Sequence, residues 1–179
     1  MNHILFIVIM TAALLFGPEL GVEQAQLVDL TRTNLVEWNY NVSKTIKEEK
    51  CLTEAIYYEA GNQSEIGKEA VALVILNRVG QKHRPKTICG VIAQAHVIED
   101  RKICQFSFFC ETKRKPMKET WNQSQQVAHR VLTNYWNRDI ISQYQDAVYY
   151  HARYVHPKWA KHKVRVGMIE DHIFYKEPQ

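Results

Sequence analysis

Residues 51–79 read CLTEAIYYEAGNQSEIGKEAVALVILNRV, and this stretch decides the fold. Cys51 to Ala60 has helical spacing, and Gly61 is placed to stop the helix. At about 100° per residue, Leu52, Ala55 and Ile56 fall within about 60° of Glu59, whereas Glu54 falls about 140° away. Glu59 therefore lies in the middle of the apolar stripe, and Glu54 faces water. A carboxyl on a buried face is costly unless it is neutral or paired, and in the last turn the helix carbonyls oppose a negative charge. Both effects push its pKa upward. A carboxylic acid still protonated near neutral pH is what general-acid cleavage of an acetal requires. The same wheel allows a plainer reading, in which Glu59 snorkels to the surface or pairs with an arginine.

Working outward, Asn62 and Glu65 fit a capping box, and seven apolar residues follow without a break from Ala70 to Leu76. A helix apolar on every side is buried centrally, so Glu59 should end its helix beside the main core helix. Downstream, the segment Cys104 to Cys110 (CQFSFFC) alternates and suits a short strand or hairpin. Glu119 to Arg138 carries Trp121, Ala128, Leu132 and Tyr135 at helical spacing and reads as core. Ala147 to Trp159 (AVYYHARYVHPKW) is dense in Tyr, His and Trp, which serves sugar stacking and core filling equally well. Lys113, Arg114, Lys115 and Lys118 form a basic loop.

Upstream, Ile4 to Phe16 is a run of thirteen residues, apolar except for Thr11. A spanning helix wants about 20 apolar residues, so the run suits a signal peptide or an N-terminal signal anchor over residues 1–25. The first Lys or Arg is Arg32, which favours export of everything that follows. Residues 26–50 read as a connector in which Val28, Leu35 and Val42 recur every seven with Trp38 between them, and the domain is placed at 51–179. Four cysteines, all beyond residue 50, fit an exported chain. They allow three pairings; the short spacing of Cys104 and Cys110 favours joining those two and leaving Cys51 to Cys89. A zinc site is the weaker reading, because neither C-x-x-C nor H-E-x-x-H is present.

The 179 residues carry 23 Lys plus Arg against 19 Asp plus Glu, a net charge of +4. With 46% hydrophobic and 23% charged residues, the composition is globular and excludes disordered and collagen-like classes. The surplus is too small to single out nucleic acid, and no P-loop or Rossmann glycine pattern occurs.

Six blocks, CLTEAIYYEA, EIGKEAVALVILNRV, TICGVI, CQFSFFC, AVYYHARYVHPKWA and DHIFY, come in an order that resembles the SleB-type cell wall hydrolases, over about Cys51 to Tyr175. The cysteine placement is similar to that of the Gram-negative and phage branch. The resemblance implies an α+β, mostly helical, lysozyme-like catalytic domain with a short β element. It also implies cleavage of the MurNAc–GlcNAc β-1,4 linkage of peptidoglycan, with Glu59 as the catalytic residue. Two stretches depart from the family pattern. The usual A-R-G-E reads Ala60, Gly61, Asn62, Gln63, and the usual I-G-x-H reads Ile169, Glu170, Asp171, His172.

Ordinary glycosidases use two carboxylates. Only Glu59 is marked both by the wheel and by the resemblance, and one carboxylate suffices if the sugar's C6 hydroxyl takes the place of water. The expected reaction is then that of a lytic transglycosylase, giving 1,6-anhydro-MurNAc ends with neither metal nor cofactor. Gln105, Phe106, Tyr149, Tyr150, His151, Trp159 and His172 are expected to line the glycan groove, His172 as a brace. The expected setting is the periplasm or cell envelope, as a monomer held to the inner membrane if the leader stays uncleaved. Phage lysis and bacterial wall remodelling both fit. Two rival classes are a peptidoglycan amidase with a zinc cluster and a non-catalytic peptidoglycan-binding protein.

Overall fold

The computed structural model describes residues 19–133 and 142–178; the run Ile4 to Phe16, the side chains of Val28 and Trp38, and Tyr135 lie outside what is described. Helix α1 spans Glu19–Ala60. Residues 26–50 contain neither Pro nor Gly, so nothing in the expected connector interrupts the helix. Leu35 and Val42 on it are exposed. The chain divides into two compact units between Lys44 and Thr45, six residues ahead of the boundary expected at Cys51. The difference has a local cause. Glu48 Oε2 accepts from Ile88 N at 2.5 Å and Glu49 Oε2 meets His129 Nδ1 at 3.3 Å, so the charged residues before Cys51 are fastened to the domain. Among the described residues no helix is long and apolar enough to cross a membrane.

Helix α1 stops where the sequence says it should. A Cβ on Gly61 would lie 2.4 Å from the Tyr57 carbonyl oxygen, a contact only glycine avoids. Gln63 N then donates to Ala60 O at 3.0 Å, closing a turn that uses up Asn62 and Gln63. Helix α2 (Glu65–Arg78) accordingly starts later than the expected capping box allows. Its N-cap is Ser64, whose side chain accepts from Gly67 N, and not Asn62. Ala70 to Ile75 are all buried, each larger side chain contributing about 1.5–3 kcal/mol relative to exposure. Leu52, Ala55 and Ile56 from α1 and Val127, Ala128 and Val131 from α5 (Lys118–Leu132) complete the same core.

Helix α3 (Ile88–Ile92) is joined to α1 by the Cys51–Cys89 disulfide. An exposed antiparallel hairpin follows, β1 (Ala95–Ile98) and β2 (Arg101–Cys104). The strand or hairpin expected for Cys104 to Cys110 forms only as far as Cys104. Beyond it, Ser107–Cys110 is one helical turn, α4, which buries Phe108 while the Cys104–Cys110 disulfide ties it back to β2.

The second sheet is antiparallel in the order β3 (Tyr149–Ala152), β5 (His172–Lys176), β4 (Val164–Ile169). Its β4–β5 turn accommodates two of the departures from the family pattern, Glu170 and Gln63. Glu170 has φ of +48°, a left-handed conformation that suits the family's usual glycine and costs another residue about 1–2 kcal/mol. Here its carboxylate accepts from Ser64 N at 2.9 Å, beside the N-terminus of α2. The neighbouring Asp171 accepts from Gln63 Nε2 and donates its backbone N–H to Gln63 Oε1, both at 3.3 Å. A glutamate at 63 could not donate to Asp171.

Candidate active site

Glu59 occupies the last turn of α1 and is half-buried, while Leu52, Ala55 and Ile56 on the same face are fully buried. Glu54, expected to face water, is half-buried as well, with 25% of its side chain exposed, and it pairs with Lys113 Nζ at 2.5 Å. Glu59 lines a cavity of about 330 Å³ together with Arg78 from the end of α2, Tyr150 and His151 from β3, and His172 from β5. Gln105 and Phe106, between β2 and α4, form another part of its lining. Among the described residues that line it, Glu59 is the one carboxylate.

Tyr150 OH donates to Glu59 Oε2 at 3.0 Å. Burial holds the phenol of Tyr150 well above its usual pKa, so it stays a donor and orients the carboxyl. Burial also raises the pKa of Glu59; the Tyr150 hydrogen bond and the charge of Arg78 pull it part of the way back, and Glu111 adds to the rise. Arg78 is 3% exposed, donates from Nε to Val148 O at 2.8 Å and lies over the Phe106 ring. Burial lowers its pKa to about 10, which leaves it charged at neutral pH. His172 is buried edge-on to Tyr150, its Nδ1 has no hydrogen-bond partner among the described residues, and burial lowers its pKa toward the neutral ring.

Of the residues expected in the groove, Gln105, Phe106, Tyr150, His151 and His172 meet around Glu59. Tyr149 and Trp159 do not. Successive strand residues point to opposite faces, so Tyr149 turns away from Tyr150. It donates to Glu177, carries Lys163 Nζ 4.4 Å from its ring centre, and packs against Trp159. Trp159 in turn buttresses His151 and Tyr175. Both ring nitrogens of His151 are engaged, Nδ1 with Ala152 O and Nε2 with Tyr175 OH, each at 2.9 Å. Sequence reasoning missed Arg78, Tyr58 and Tyr154, which also line the cavity. The signal for Arg78 was available: it sits one helical turn after Val74 and Ile75, a cation on an apolar face. Among the described residues no group of three or more His, Cys, Asp or Glu is gathered to hold a metal ion.

The sequence model of the cell wall hydrolase family matches residues 62–175, beginning three residues after Glu59. A comparison with curated protein sequences finds no relative. Among solved structures, the catalytic domain of the germination-specific lytic transglycosylase SleB from Bacillus anthracis matches with a TM-score of 0.54 at 23% identity, over 72% of this chain and 93% of that one. The catalytic domain of the Bacillus cereus SleB protein gives 0.52 at 22% identity, over 72% and 89%. At such identities the likeness is one of fold: mostly helical, with short β elements, the lysozyme-like architecture that the family resemblance implies.

Proposed function

Because the chain belongs to the cell wall hydrolase family, we propose that it cleaves the MurNAc–GlcNAc β-1,4 linkage of peptidoglycan as a lytic transglycosylase. The observation that carries this reading is the single desolvated carboxyl, Glu59, held by Tyr150 in a cavity with no second carboxylate among its described lining residues. Glu59 in its acid form protonates the glycosidic oxygen as the C1–O bond breaks. As carboxylate it then takes the proton of the MurNAc C6 hydroxyl, whose oxygen closes on C1. The product is a 1,6-anhydro-MurNAc end, and the acid is regenerated without water being consumed. Arg78 keeps the carboxylate stage accessible by opposing the desolvation of Glu59. Two disulfides suit an oxidising compartment such as the periplasm or cell envelope.

Mass spectrometry of digested sacculi tests the reaction. Released muropeptides lighter by one water than their reducing-end counterparts are expected. Hydrated reducing ends would make the protein a hydrolase, free peptide stems would make it an amidase, and bound but uncut sacculi would make it a binding module.

The pH dependence follows from the same groups. Cleavage needs Glu59 protonated, so the rate should fall as pH rises through its raised pKa. Arg78→Met removes a charge that lowers this pKa and should move the alkaline limb to higher pH, whereas Arg78→Lys keeps a cation and should move it less. An alkaline limb that stays put in Arg78→Met would remove Arg78 from this role.

A further inference from the structure

The aromatic side chains that line the Glu59 cavity are packed against neighbouring rings, with one exception among the described residues. Tyr58 stacks on Phe108, Phe106 is tilted against Phe108, Tyr150 meets His172 edge-on, and His151 stacks on Tyr175. Tyr154 lines the same cavity yet is 78% exposed, the most exposed of the large apolar side chains among the described residues. A lone exposed tyrosine is ordinary on a protein surface; what sets this one apart is its place on the wall of the Glu59 cavity. Its backbone is nevertheless held on both sides. Arg153 N donates to Asp171 O at 2.7 Å, and Val155 N donates to Ala152 O at 2.9 Å, closing a turn around Tyr154. The Arg153 guanidinium adds a second tie, its Nε 2.9 Å from Asp171 Oδ1. The turn is thus fastened to the β4–β5 turn, and an exposed ring is presented from a braced backbone.

We propose that Tyr154 is a stacking platform for a pyranose ring of the glycan strand, forming a subsite at the mouth of the Glu59 cavity. The inference rests on the reading of the cavity as a glycan site. A sugar presents an apolar face of C–H groups and a polar rim, and a tyrosine offers the matching ring face and a hydroxyl that stays wet. Because the turn is braced, little ordering opposes binding. The ring takes no part in the proton transfers, so it contributes to holding the substrate and the transition state alike.

Binding and turnover should be measured separately. In a Glu59→Gln background, Tyr154→Ala should weaken binding to purified sacculi and to a peptide-free glycan oligomer by roughly five- to tenfold, the scale set by the apolar area one ring face loses to a sugar. Tyr154→Phe and Tyr154→Trp should keep it. In the otherwise intact enzyme, Tyr154→Ala should raise KM by a similar factor with kcat nearly unchanged. Unaltered binding in Tyr154→Ala would overturn the platform, and so would equal losses in Tyr154→Ala and Tyr154→Phe, which would assign the effect to the hydroxyl. The two readings fail differently. A parent protein that releases no fragments while its binding still needs the Tyr154 ring would end the catalytic reading only. A parent that cuts sacculi and binds them equally well without the ring would end the platform only.

Discussion

Glu59→Gln should abolish release of soluble glycan fragments from sacculi, while Glu54→Gln on the same helix leaves it nearly unchanged. Glutamine keeps the size of the side chain, and its amide oxygen can still accept from Tyr150 OH, so the cavity is preserved. What it loses is the proton. Acid–base assistance is typically worth about 10²–10⁴-fold, and here one group serves as both acid and base. Stability should move the other way. The folded-state pKa of Glu59 is raised above the ordinary 4.5, so its neutral form is the one the fold favours. That contribution is fully present below the unfolded pKa and is lost as pH rises through the folded one. Glu59→Gln has nothing to lose over that window. It should melt at or above the parent at neutral pH, with the gap closing in acid. Glu54→Gln gives up only a partly exposed pair with Lys113, worth about 1 kcal/mol, and no contact with the cavity. Near-parental release of anhydro fragments by Glu59→Gln would end the single-carboxylate mechanism.

The sequence makes Glu59 legible because a carboxyl amid Leu52, Ala55 and Ile56 breaks a strong rule about apolar faces. Arg78 breaks the same rule after Val74 and Ile75, but a basic residue in the last turn of a helix also has an ordinary explanation in the dipole. Tyr149 and Trp159 are misread for a different reason. Which of two successive tyrosines faces the site depends on which face of the sheet packs on α2, and that is a tertiary fact. Tyr154 could not be singled out either, since its exposure follows from a turn held by Asp171, 17 residues later in the chain. Likewise, Gln63 and Glu170 look like losses until the fold places Asp171 beside the first and Ser64 N beside the second.

Breaking the long disulfide should cost more stability than breaking the short one, and the short one should cost more activity. In the chain-entropy account, a loop of 38 residues is worth about 4 kcal/mol and one of 6 about 2 kcal/mol. Cys51→Ser with Cys89→Ser should therefore lower the melting temperature by roughly 10–15 °C, about twice the effect of Cys104→Ser with Cys110→Ser. Differential scanning calorimetry measures both. The functional order reverses because of what each bridge holds. Cys51–Cys89 ties α1 to α3 at a point eight residues before Glu59, where Glu48 also caps α3 and the buried face of α1 keeps the helix in place. Cys104–Cys110 instead encloses Gln105, Phe106 and Ser107, all three of which line the cavity. Below its melting temperature the long-bridge variant should keep most of its rate, while the short-bridge variant should lose rate at temperatures where it is still folded. Equal melting losses would sink the loop-length argument. A fully active short-bridge variant would show that Phe106, buried against Phe108 and Arg78, sets the geometry of that wall without its covalent tie.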